Sequence, residues 1–117
     1  MLFRSTSTND PTAHAEVMAI RDACARLGTF RLDDCELHTS CEPCPMCLAA
    51  IYWARIPMIF HGNSRHDAAA IGFDDAFIYE QVALAPAERA VAMRPLLREE
   101  ALASFRLWTE KTDRTRY

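Results

Sequence analysis

The chain has 117 residues, half of them hydrophobic and a quarter charged, with three glycines and six prolines. That is the length of one ordinary domain, and the composition excludes collagen-like, low-complexity and disordered classes. Thirteen basic against sixteen acidic side chains leave a net charge of −3, which disfavours nucleic-acid partners because phosphate binding leaves a basic footprint.

The longest apolar run, Met46 to Ala54, has nine residues, against the roughly 20 that a membrane helix needs. Met1-Leu2-Phe3-Arg4-Ser5 has neither the basic start nor the apolar stretch of a secretory signal, so a cytoplasmic protein without a membrane partner is expected. No repeat or linker-like stretch marks a boundary, and residues 1–117 are expected to form a single domain. Asp10-Pro11 predicts the start of the first helix, with Asp10 as N-cap, Pro11 at the first helical position and Gly28 as the stop. Val17, Ile20, Cys24 and Leu27 recur at helical spacing and predict its apolar stripe. Cys35-Glu36-Leu37-His38-Thr39 alternates apolar with polar and predicts a strand. A proline-marked loop, a helix over 44–55 and a second strand over 57–61 follow. Strand, helix, strand is the order of a parallel crossover, with helices on the faces of the sheet. Downstream the pattern predicts short helices over 65–70 and 75–82, a strand over 89–94 and a last helix over 96–111. The class is α/β.

Five cysteines form an odd set, Cys24, Cys35, Cys41, Cys44 and Cys47, three of them within seven residues. In a reducing compartment such a cluster points to a metal or to reactive thiols more than to disulfides. The chemistry concentrates in His14-Ala15-Glu16 and Pro43-Cys44-Pro45-Met46-Cys47. Both lie at predicted helix starts, where the dipole and unpaired N–H groups favour thiolate. One imidazole and two thiolates make three ligands for a tetrahedral ion, and zinc is the usual occupant of such mixed sets. An ion with its fourth position open lowers the pKa of water there, provided a nearby carboxylate can take and return protons; Glu16 is that carboxylate. Each element alone has a plainer reading. C-x-x-C also describes a redox pair, or half of a closed structural site completed by Cys41, His38, His61 or His66. His14 alone reads as a solvated or core histidine, and Glu16 alone as a favourable first-turn charge. Together, with Pro43 before Cys44, they spell H-x-E…P-C-x-x-C, the zinc deaminase signature.

On these residues the chain resembles the cytidine deaminase superfamily, and within it the bacterial guanine deaminases. The matching text is Thr8-Asn9-Asp10-Pro11-Thr12-Ala13-His14-Ala15-Glu16, Thr39-Ser40-Cys41-Glu42-Pro43-Cys44-Pro45-Met46-Cys47 and Ile51-Tyr52-Trp53-Ala54-Arg55. It continues in Gly72-Phe73-Asp74-Asp75, Phe77-Ile78-Tyr79, and a closing helix with Trp108 before Tyr117. The H-A-E and P-C-x-x-C parts are superfamily-wide, whereas Tyr52-Trp53-Ala54-Arg55 and Phe73-Asp74-Asp75 favour guanine over cytosine or tRNA adenosine. The resemblance implies a three-layer α/β/α cytidine deaminase-like fold. It also implies zinc on His14, Cys44 and Cys47, proton transfer by Glu16, and conversion of guanine to xanthine and ammonia. By the same resemblance Asp75 is a second carboxylate that helps protonate the leaving amine, and Trp53 is part of the pocket wall; an exposed acidic turn and a core aromatic are the plainer readings of these two. The family's dimers exchange their C-terminal segments, which would bring Tyr117 over the site of a partner copy. The alternatives to a guanine deaminase are an inactive zinc-binding remnant and a tRNA adenosine-type deaminase.

The family pattern places a helix and two strands before His-Ala-Glu, whereas thirteen residues precede it here. Phe3 stands where the family has an asparagine that binds the purine. The expectation is therefore an N-terminally truncated sheet with an unpaired edge, and guanine turnover slowed by poorer positioning of the substrate.

Overall fold

The structure, a computed structural model, describes residues 4–73 and 75–117. The expectations attached to Phe3 and Asp74 lie outside the described residues. The chain runs through α1 (Arg4–Ser7), α2 (Ala15–Leu27), β1 (Glu36–Cys41), α3 (Pro45–Trp53), β2 (Met58–Asn63), α4 (Arg65–Ala70), α5 (Asp75–Ala83), a 3-10 turn (Pro86–Glu88) and α6 (Arg98–Glu110). It divides into two compact units, Met1–Ala83 and Leu84–Tyr117.

In the first unit β1 and β2 pair in parallel, with Leu37 opposite Ile59, His38 opposite Phe60 and Thr39 opposite His61. The crossover through α3 is the one that the strand, helix, strand order requires. Alternation along β1 sorts its side chains. Leu37, Thr39 and Cys41 are buried or half-buried, while Glu36, His38 and Ser40 are exposed. On the exposed side the His38 ring stacks on Phe60 at 4.8 Å between centroids. Gly62 sits so close to the first strand that a Cβ there would lie 2.9 Å from the Ser40 carbonyl oxygen, so only glycine fits.

The core centres on α3. Cys47, Ile51 and Ala54 are buried at helical spacing and form its inner face, joined by Leu37, Leu32, Ala13 and Ala68. Helices α2 and α5 both pack against α3. Its outer face carries Tyr52 and Trp53, both largely exposed.

Three sequence expectations need correction. The helix expected from Asp10 and Pro11 is α2, which starts at Ala15 with His14 as N-cap. Asp10 instead accepts from Thr12 N at 2.8 Å and from Thr12 Oγ1 at 2.7 Å. This side-chain turn competes with helix and delays it by four residues. Gly28 does end α2, in the left-handed conformation at φ 64°. The apolar stripe of α2 is only partly covered: Val17, Ile20 and Cys24 are half-buried, but Leu27 is 60% exposed. Residues 89–94 form no strand, because no partner strand flanks them in the second unit, and Val91 and Met93 face solvent. The second unit holds the 3-10 turn and α6. Among the described residues no helix is long and apolar enough to cross a membrane.

Ile51 is 2% exposed at the centre of the core. Ile51→Ala is therefore expected to lower stability by about 2–5 kcal/mol and Ile51→Val by about 0.5–1.5 kcal/mol, measured by urea denaturation. Equal stability of Ile51→Ala and the parent would contradict this core assignment.

Candidate metal centre

Two helix starts meet at one point. His14 caps α2 in an extended conformation (φ −67°, ψ 150°). Its backbone carbonyl accepts from Met18 N at 3.0 Å, which leaves its side chain just outside the first turn. Glu16 lies in that turn. Cys44 caps α3 (φ −64°, ψ 166°), with Pro45 at the first helical position, and Cys47 N–H donates to Cys44 Sγ at 3.5 Å. Both ends are positively polarised, which favours anionic ligand groups.

His14 Nδ1 lies 3.5 Å from Cys44 Sγ and 3.4 Å from Cys47 Sγ. All three donor atoms lie within 4.8 Å of one another, and Cys44 and Cys47 are buried. Around a tetrahedral zinc, with zinc–sulfur bonds of about 2.3 Å and zinc–nitrogen bonds of about 2.0 Å, nitrogen and sulfur donors stand roughly 3.5 Å apart. The donor set therefore fits zinc in both chemistry and spacing. The adjacent Cys47 side chain, aided by backbone N–H groups and by His14, lowers the Cys44 pKa to about 6. The Cys44 side chain, burial and the nearby Glu16 carboxylate push Cys47 up. Ligation by both sulfurs would displace whatever thiol proton the pair carries.

Glu16 stands beside this triad. Its Oε1 accepts from Thr39 Oγ1 at 3.1 Å and its Oε2 from the Cys47 thiol at 3.5 Å. Thr39 belongs to the inward face of β1, so the strand's alternation places its hydroxyl at the carboxylate. The other candidate ligands are engaged elsewhere or lie outside the triad. Cys41 donates to the Ser64 carbonyl at 3.7 Å and is not part of the cluster; burial followed by the Asp75 charge raises its pKa. His38 contacts Glu36 at 2.9 Å, and His61 contacts the Asn63 carbonyl at 3.1 Å. His66, on α4, is not part of the cluster.

Of the residues singled out by resemblance, Asp75 opens α5 and is half-buried. Its charge is felt at Cys41 and Tyr79. Trp53 ends α3 and is 61% exposed, so it is not a core aromatic. Tyr117 lies in the second unit and is exposed. Two contacts have no precursor in the sequence reading. One is the Thr39 hydroxyl on Glu16. The other is Tyr79, whose hydroxyl donates to the Pro43 carbonyl at 2.9 Å. The alternation of β1 could have exposed the first, and the four-residue spacing of Asp75 and Tyr79 the second.

Comparison with known proteins agrees with this geometry. Guanine deaminase of Bacillus subtilis (strain 168) is 50% identical over 112 residues, which is 96% of this chain and 72% of the relative. The tRNA-specific adenosine deaminase of Agrobacterium fabrum (strain C58) is 36% identical over 108 residues, 85% of this chain and 71% of the relative. The X-ray structure of guanine deaminase from Bacillus subtilis superposes with a TM-score of 0.92 at 50% identity, covering 97% of this chain and 72% of that one. Residues 4–63 match the family described as the cytidine and deoxycytidylate deaminase zinc-binding region. That span takes in His14, Glu16, Cys44 and Cys47, and the chain belongs to this family of zinc-binding deaminases.

Proposed function

We propose that the protein hydrolyses guanine to xanthine and ammonia with the help of one zinc ion. The observation that carries this reading is the His14 nitrogen set 3.4 and 3.5 Å from two buried sulfurs, with Glu16 adjoining but outside the ligand set. Support for guanine over tRNA adenosine comes from the relatives, 50% identity to the one against 36% to the other. The net charge of −3 also offers little to an RNA backbone.

His14, Cys44 and Cys47 would hold the zinc, which when bound makes water acidic enough to lose a proton near neutral pH. Glu16 moves that proton. Its Oε1 is fixed by the Thr39 hydroxyl, which orients the carboxylate so that one oxygen can accept the proton and hand it to the amino nitrogen as ammonia leaves. Asp75, at the start of α5, acts as the second carboxylate at that nitrogen, and Trp53 walls the purine. Tyr117 closes the site of a partner copy through an exchanged C-terminal segment in a homodimer. The likeness to guanine deaminase spans 96% of the chain and so includes both compact units; this supports reading residues 1–117 as one functional domain. We place the protein in the cytoplasm, the compartment where thiols stay reduced and available to metals.

Metal analysis of purified variants tests the ligand set. Cys44→Ser and Cys47→Ser are expected to lose the zinc, and Cys41→Ser to retain one per chain. Equal zinc loss in Cys41→Ser and Cys44→Ser would overturn the assignment of the thiolate pair. Glu16→Gln is expected to keep its zinc while guanine turnover, followed as ammonia release, falls by ~10²–10⁴-fold, the range for general acid–base groups. Loss of zinc in Glu16→Gln, or turnover equal to the parent, would contradict a proton-transfer role.

A further inference from the structure

The loop between β1 and α3 delivers Cys44, and its tethers come from two sides. From the junction of β2 and α4, the Ser64 carbonyl accepts from Cys41 Sγ at 3.7 Å and the Asn63 carbonyl accepts from Glu42 N at 2.8 Å. From the same junction Arg65 N donates to Glu42 Oε2 at 2.9 Å. From α5, Tyr79 reaches the residue next to the ligand, its hydroxyl donating to the buried Pro43 carbonyl at 2.9 Å.

That contact acts on a stiffened segment. Proline on each side of Cys44 fixes one backbone angle at 43 and restricts the backbone of Cys44. Pro43 has no N–H, so its carbonyl is its one strong backbone handle. The Pro43 carbonyl and the Cys44 N–H belong to the same planar peptide unit. Fixing the tilt of that plane fixes the direction in which Cys44 leaves it. The Tyr79 ring is itself held, with the Arg65 guanidinium carbon 4.8 Å from its centroid, a cation–π contact. Burial raises the Tyr79 pKa above the ordinary phenol value, so the hydroxyl remains a donor throughout the physiological range.

We propose that Tyr79 is a positioning residue for the metal centre: its hydroxyl on the Pro43 carbonyl, steadied by Arg65 over the ring, sets where Cys44 presents its sulfur. The inference rests on the ligand set proposed above. It also couples that ligand to α5, the helix that begins with Asp75.

The test is Tyr79→Phe, which deletes the hydroxyl and leaves a ring for Arg65. The variant is expected to bind one zinc per chain but to release it to excess chelator at least ~10-fold faster, since losing a partner that orients a ligand typically costs 10–100-fold. In the cobalt(II)-substituted protein, whose visible bands report ligand geometry, the bands are expected to shift. Leu32→Ala, in the core at the far end of α3, sets the release rate that general loosening produces. Release and cobalt bands equal to the parent, or release no faster than in Leu32→Ala, would overturn the proposal. Should Tyr79→Phe fail to fold, Arg65→Met frees the ring while keeping the backbone N–H bond to Glu42. It is expected to speed release by a smaller factor, and release equal to the parent would overturn the proposal there too. Neither readout involves guanine, so failure of the substrate assignment leaves this test standing, and Cys44→Ser checks the ligand set separately.

Discussion

One imidazole nitrogen poised between two buried sulfurs ties the first unit together. His14 and the pair Cys44 and Cys47 are about thirty residues apart in sequence, and they meet only if α2 and α3 begin at the same place. The parallel crossover makes that possible: β1 delivers the chain to the start of α3, and the inner face of α3 packs where Cys47 and Ile51 are buried. Cys47 is therefore both a core residue and a proposed ligand, so the position of one sulfur follows from the packing of the helix.

The polarity of the site has the same origin. Two positively polarised helix ends favour thiolate and carboxylate at one point, and the two do different work. The sulfurs face the imidazole, whereas the Glu16 oxygens are occupied by Thr39 and by Cys47. A carboxylate held by a hydroxyl and excluded from the ligand triad is suited to moving protons. A fourth protein ligand would have closed the site, and Cys41, three residues before Cys44, is instead bound to the Ser64 carbonyl.

What could be read in the sequence was mostly what is local. The spacing of His14, Glu16, Cys44 and Cys47 gave the chemistry. Alternation gave β1 to within about two residues, and Gly28 gave the end of α2, because each depends on near neighbours. The start of α2 was misplaced because Asp10-Pro11 satisfies two rules at once, and the side-chain turn onto Thr12 won over the helix cap. The strand expected over 89–94 failed for the opposite reason. Ala90-Val91-Ala92-Met93 is a short apolar run, but a strand needs a partner, and partners are not written locally. The contacts of Tyr79 with Pro43 and of Thr39 with Glu16 span 36 and 23 residues; they come from packing and leave no periodic trace.

The central claim is a zinc ion held by one imidazole and two thiolates, with its remaining position open to water. X-ray absorption at the zinc edge of the purified protein tests it most directly. The account predicts two sulfur neighbours at about 2.3 Å and nitrogen or oxygen neighbours at about 2.0 Å. Three or four sulfur neighbours would place another cysteine on the metal, close the site, and contradict the account.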